Sequence, residues 1–262
     1  MSASNPRLFL WAITSALAGF IFGFDTVVIS GAEQSIQELW ELSAGMHGWV
    51  TSMALWGTVL GALFGGWPTD RFGRKKTLIW IGALYFLSAI GSALAPDAFT
   101  LMVARFIGGV GIGISTVAAP LYIAEISPAE KRGRLAGMFQ FNIVFGILIA
   151  FLSNYLLGGI GENAWRWMLG IEAIPAMVYT LMCFSLPESP RWLIGRQNDT
   201  AAGLKVLKVI HPEMSTDELN AKVTEIATVP NDSHKSSGFW SGRLRVPILL
   251  AFFIAFFNQL SG

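Results

Sequence analysis

The sequence predicts an all-α membrane protein: a bundle of six spanning helices, then a polar helical segment, then the start of a seventh span. Three observations predict it. Of 262 residues, 53% are hydrophobic and only 13% charged, where a soluble domain carries roughly 25% charged residues. Six apolar runs, at 8–31, 47–67, 77–95, 99–126, 136–159 and 166–186, each reach the length of about 20 residues that a bilayer crossing needs. The basic residues, finally, collect in alternate loops.

The first run extends from Leu8 to Ser30 with Asp25 as its one charge. Arg7 precedes it, and Ala16-Leu17-Ala18 resembles a signal-peptidase site. The run is nonetheless longer than the about 7–15 residues of a signal-peptide core, so it reads as an uncleaved spanning helix. In hydrocarbon every backbone polar group must be satisfied within the protein, and the Gly, Ala, Ser and Phe content of the runs suits helices better than strands. The fourth run carries Gly108, Gly109, Gly111 and Gly113. Such residues weaken a soluble helix, but in a membrane they let neighbouring helices pack closely.

Arg71, Arg74, Lys75 and Lys76 lie between the second and third runs, and Lys131, Arg132 and Arg134 between the fourth and fifth. With Arg7 and the bases that follow the sixth run, 16 of the 18 basic residues fall on one side. The other side holds Glu33, Glu38, Glu41, Asp97, Glu162 and a single base, Arg166. The positive-inside rule then places the N-terminus and the basic loops in the cytoplasm. Residues 187–245 are polar and mixed in charge. Asp199 or Thr200 is placed to cap a helix with Leu204, Leu207 and Ile210 on one face, and Ser215 and Glu218 have capping-box spacing ahead of a Leu219, Val223, Ile226 stripe. Two or three short amphipathic helices at the cytoplasmic surface are expected there, with a flexible linker at 230–242; a disordered loop is the alternative. The expected division is thus a six-helix transmembrane bundle at 1–186, a cytoplasmic helical linker domain at 187–245, and a truncated seventh helix at 246–262.

Cys183 is the one cysteine and cannot form an internal disulfide. His47, His211 and His234 have no metal-ligand spacing and read as solvated loop residues. The chain offers no nucleophile–base–acid set and no phosphate loop, so no catalytic residue, cofactor, metal or nucleic-acid partner is expected. Two charges lie at membrane depth, where each costs at least about 2.5–3.5 kcal/mol and marks a candidate for function. Asp25 precedes the end of the first helix, and Arg105 follows the start of the fourth, by the same six residues. At about 1.5 Å per residue both sit roughly 9 Å deep from the same surface. Equal depth and opposite sign predict a pair. By itself the pair fits either a structural salt bridge or a site in which Arg105 governs proton uptake by Asp25. Glu172 is a third charge at depth, with no role assigned.

Between the second and third runs the chain reads Gly66-Trp67-Pro68-Thr69-Asp70-Arg71-Phe72-Gly73-Arg74-Lys75-Lys76. Gly66 is placed for close helix approach, Gly73 for a tight turn, Asp70 to accept bonds from helix ends, and Arg71 and Arg74 to supply a charge network. This segment resembles the G-x-x-x-D-R-x-G-R-K signature of the major facilitator superfamily. Further segments narrow the resemblance: Arg105-Phe106-Ile107-Gly108-Gly109; Pro120-Leu121-Tyr122-Ile123-Ala124-Glu125 with Lys131-Arg132-Gly133-Arg134; Pro187-Glu188-Ser189-Pro190-Arg191; and Asn258-Gln259-Leu260-Ser261-Gly262. Together they resemble the sugar porter family of that superfamily.

The resemblance implies a major facilitator fold, of which this chain holds the N-terminal six-helix bundle, the cytoplasmic segment and part of a seventh helix. It implies sugar–proton symport by alternating access, with a monosaccharide, a proton, the bilayer and a missing C-terminal half as partners. The location implied is a cell membrane, bacterial inner membrane foremost. Asp25 matches the aspartate of proton-coupled members and Arg105 its helix-four partner. Phe22, Gln140, Asn258 and Gln259 match sugar-contacting positions; an amide suits that work because it both donates to and accepts from hydroxyls. Asp70, Arg71, Arg74, Glu125, Arg132, Glu188 and Arg191 match a salt-bridge gate at the cytoplasmic face. Asn258 stands where the family usually has glutamine, and Ile147 where its xylose symporters have a second helix-five glutamine, which leaves the sugar open. A facilitative uniporter and a transporter-like sugar sensor are the alternatives.

Overall fold

A computed structural model of the chain describes residues 6–228 and, in the last helix, 245–250, 253, 254 and 257. The described residues form helices joined by turns and short connections, with no strand among them. The long helices are α1 (Pro6–Val28), α3 (Ala44–Phe64), α5 (Arg74–Ala93), α6 (Ala98–Ile126) and α7 (Ala129–Leu157). Short helices fill the intervals: α2 (Glu33–Leu39), α4 (Gly66–Phe72), α8 (Ala164–Gly170), α9 (Ala173–Phe184), α10 (Pro190–Gly195), α11 (Thr200–Ile210) and α12 (Thr216–Thr228).

Five segments are long and apolar enough to cross a membrane, with α8 and α9 counted as one; the bent α3–α4 pair brings the total to six among the described residues. Each predicted run therefore becomes a span, with differences at the ends. The second run ends in a 51° bend, so the signature segment is the short helix α4 rather than a loop. The sixth breaks at Ile171-Glu172. The fifth starts earlier than its apolar residues do, because Lys131, Arg132 and Arg134 continue the helix beyond the hydrocarbon. At 29 residues each, α6 and α7 extend to roughly 44 Å, longer than the about 30 Å core of a bilayer.

The packing has a front and a back. α1 lies between α7 and α6, and α3 packs on the far side of α6; α5 and α9 sit behind, α5 against α6 and α9 against α1. Glycines set these contacts. A Cβ on Gly109 or Gly113 would collide with the α3 backbone at Ala54 or Thr58, and one on Gly23 with Ile143 of α7. Gly66, by contrast, faces open space; its neighbour Gly65 makes the close approach, next to Ile114. Gly73 takes φ +95° in the predicted turn, a conformation that a side chain would strain. The outer surface of the bundle carries many exposed apolar side chains, among them Leu63, Phe64, Leu148 and Tyr155, as a lipid surrounding allows.

Asp199 caps α11 by accepting from Ala202 N at 2.9 Å. Ser215 and Glu218 close their reciprocal box, Ser215 N donating to Glu218 Oε2 at 2.7 Å and Glu218 N to Ser215 Oγ at 3.3 Å. Those backbone and hydroxyl donors hold the exposed Glu218 carboxyl below its ordinary value. Ile194, Leu207 and Leu219 form a small core between α10, α11 and α12, and Ile210 joins Leu8 in the main core. The histidines correct one expectation. His47 lies in the first turn of α3. His211 ends α11 half-buried, 3.1 Å from Lys222 Nζ. Burial first, and the Lys222 ammonium second, hold the His211 imidazole below its usual value. His234 falls outside the described residues.

Candidate functional site

Asp25 and Arg105 meet as their depths predict. Asp25 is 1% exposed and Arg105 2%. Arg105 Nη1 donates to Asp25 Oδ1 at 2.5 Å, and Nη2 donates to the Asp25 carbonyl at 3.0 Å. A 3-10 turn (Ile29–Gly31) takes over from α1 just beyond the pair. Glu172, 3% exposed, stands beside both of them at the α8–α9 break. Tyr85 of α5 completes the surroundings within electrostatic reach of both carboxyls, its hydroxyl 3.4 Å from Ser115 Oγ. Asp25 Oδ2, Glu172 Oε1 and Arg105 Nε are buried without a hydrogen-bond partner among the described residues. Arg105 is paired with Asp25, and Glu172 is a second buried carboxyl near that pair. Sequence reasoning registered Glu172 as a charge at depth but gave it no role; the signal was there in its place inside an apolar run.

Of the sugar-contact candidates, Phe22 is half-buried on α1 and Gln140 is exposed on α7. Gly19 and Gly23 bring α1 against Phe139 and Ile143, and Gly146 brings α7 against Phe20; this front seam is formed by the two helices that carry Phe22 and Gln140. Phe141 and Phe145 stack near Gln140 with ring centroids 6.2 Å apart. Asn258 and Gln259 lie outside the described residues.

The seven gate candidates divide. Arg74 is a hub: Nε and Nη2 chelate Glu125, both at 2.9 Å, and Nη1 reaches Asp70 Oδ1 at 3.2 Å. Glu188 accepts from the backbone N–H of Arg74 at 2.8 Å, Lys75 at 3.1 Å and Ser189 at 2.9 Å, capping α5 from the start of α10. Burial pushes the Glu188 carboxyl above its ordinary value, with these three donors and Arg74 opposing. Trp192 Nε1 donates to the Asp70 carbonyl at 2.8 Å and ties α10 to α4. Arg71, Arg132 and Arg191 stand apart from this network. Arg71 lies over the rings of Trp67 and Phe72. Arg132 and Arg191 are exposed and line a cavity of about 300 Å³ between the α6–α7 turn and α10–α12. A sequence separation cannot say which arginine of a basic cluster will face the acids.

Fold and site define a multi-pass membrane protein of transporter type: a helical bundle with an ion pair inside it and a charged clamp at one end. A family model for sugar (and other) transporters matches residues 11–262. The chain is 38% identical over 251 residues to a D-xylose transporter of Levilactobacillus brevis, covering 94% of this chain and 54% of the relative. It is 34% identical over 267 residues to the arabinose-proton symporter of Bacillus subtilis, covering 100% of this chain and 57% of the relative. Among solved structures it is similar to a major facilitator proton:xylose symporter bound to 6-bromo-6-deoxy-D-glucose, with TM-score 0.79 and 31% identity over 86% of this chain and 53% of that one. It is likewise similar to the E. coli xylose transporter in a partially occluded inward-open conformation, with TM-score 0.77 and 30% identity over 84% and 58% of the two chains. The chain belongs to the sugar transporter family of the major facilitator superfamily, a family of transporters rather than enzymes. It spans about half the length of the curated relatives it matches.

Proposed function

We propose that this chain is the N-terminal part of a sugar–proton symporter that works by alternating access. The observation that carries the reading is the buried Asp25–Arg105 pair with Glu172 beside it. Around Arg74 two acids are balanced, Glu125 by the guanidinium and Glu188 by backbone donors, whereas here Asp25 Oδ2 and Glu172 Oε1 lack donors among the described residues. A second buried carboxyl makes the cluster's charge balance depend on a proton, which is what coupling requires. Asp25 is the proton carrier, Arg105 its counter-ion, and Glu172 the group that completes the site. The sugar sits on the front seam, held by Gln140 and packed against Phe22, with Asn258, Gln259 and a C-terminal half closing over it. Asp70, Arg74, Glu125 and Glu188 clamp the basic end, which the charge distribution places in the cytoplasm together with the N-terminus. Arg71, Arg132 and Arg191 remain available to partners on the other half.

In the full-length protein, Asp25→Asn is expected to abolish sugar accumulation driven by a pH gradient in proteoliposomes while sugar exchange continues. Accumulation that persists in the variant would instead describe a carrier without proton coupling at Asp25. Gln140→Ala separates binding from coupling. It leaves a sugar hydroxyl unpaired at a cost of about 1–3 kcal/mol, or roughly 5–150-fold in Kd. Unchanged affinity would remove Gln140 from the site.

A further inference from the structure

The back of the bundle carries a feature that neither the charge cluster nor the front seam uses. Where α5 ends and α8 begins, a groove of about 760 Å³ opens between α5, α8, α9 and the end of α7 at Leu157. That volume is within the about 300–1,000 Å³ of small-molecule sites. Its walls are apolar: Ile90 and Leu94 from α5, Ile174 from α9, all exposed. Its polar groups, Asn163 and Arg166, are confined to the start of α8, with the exposed Trp167 next to them. Arg166 is the one base on this side of the chain. It is held in place, Nη1 donating to the Ala93 carbonyl at 2.8 Å and the guanidinium lying 4.3 Å from the centre of the Trp165 ring. These contacts engage a single N–H of a five-donor fork.

We propose that this groove binds one membrane phospholipid, its phosphodiester on Arg166 and Asn163 and an acyl chain along Ile90, Leu94 and Ile174. The argument is complementarity in both charge and polarity. Guanidinium donors match phosphate oxygens in pairs. A tryptophan beside an arginine at the end of a span is the signature of the headgroup level. An apolar trough leading from that point along two spanning helices matches a chain attached to the phosphate. Neither Phe22 nor Gln140 lines the groove. The inference rests on the membrane-spanning fold and not on proton coupling, so failure of the symport reading leaves it standing.

The test is native mass spectrometry of the full-length protein in detergent, titrated with palmitoyl-oleoyl phosphatidylglycerol. Arg166→Gln removes the phosphate contact, and Ile174→Trp fills the trough at an exposed position that does not touch the Ala93 anchor. Each is expected to lower the fraction carrying one lipid by about fivefold or more, while Gln140→Ala leaves it unchanged. Equal lipid retention in the wild type and both variants would overturn the proposal. So would a dimer in the wild type that Ile174→Trp dissociates, which would assign the groove to a second copy.

Discussion

Two regions of this molecule are built from the same parts and do opposite things with them. Each has one arginine and two buried or half-buried carboxyls from different helices: Arg105 with Asp25 and Glu172, and Arg74 with Glu125 and Glu188. At the basic end every acid is committed. Glu125 is chelated by Arg74, and Glu188 takes three backbone donors at the start of α5. Inside the bundle, Asp25 Oδ2 and Glu172 Oε1 are left without donors among the described residues. A saturated set of acceptors holds helices together, whereas an unsaturated one has a place for a proton. The difference lies in the backbone: Gly73 turns the α5 N–H groups toward Glu188, while Glu172, at the N-cap of α9, makes no side-chain capping bond.

The contrast breaks most readily at Arg74. Arg74→Met leaves Glu125, whose side chain is 3% exposed, without its counter-ion, and is expected to cost about 3–5 kcal/mol in thermal unfolding. An unchanged unfolding temperature would mean the basic end is no clamp. Glu172→Gln probes the other region. It should fold normally but lower sugar accumulation driven by a pH gradient relative to sugar exchange. Undiminished accumulation would reduce Glu172 to packing. The smallest effect is at Glu188. Because burial raises its carboxyl above the ordinary value, its contribution to stability is full below the unfolded value and declines as pH rises through the folded one. Unfolding followed from pH 4 upward should show that decline in the wild type, and Glu188→Gln should flatten it.

Much of this was legible in the sequence. Spans follow from run length, because hydrocarbon forbids unsatisfied backbone and sets how many residues a crossing takes. The Asp25–Arg105 pair followed from arithmetic, since two helices entering from one surface carry charges to equal depth. The caps at Asp199 and Ser215 followed from local rules that act within a turn or two of chain. The motifs likewise marked the family to which the chain belongs.

What only the tertiary structure decided is which side chains meet across helices. Glu172 joins the pair because α9 packs behind α1 and the span breaks at that residue, and neither the break nor the neighbour is encoded in any single run's composition. Arg71 and Arg74 are separated by the break between α4 and α5 at Gly73, with one guanidinium inward on Glu125 and the other over Trp67. Gly65 rather than Gly66 makes the close approach because the 51° bend selects which glycine faces α6. The back groove exists only where the ends of several helices converge. Sequence fixes depth along each helix through the rise per residue; rotation about each helix axis, and so the choice of partner, is settled by packing.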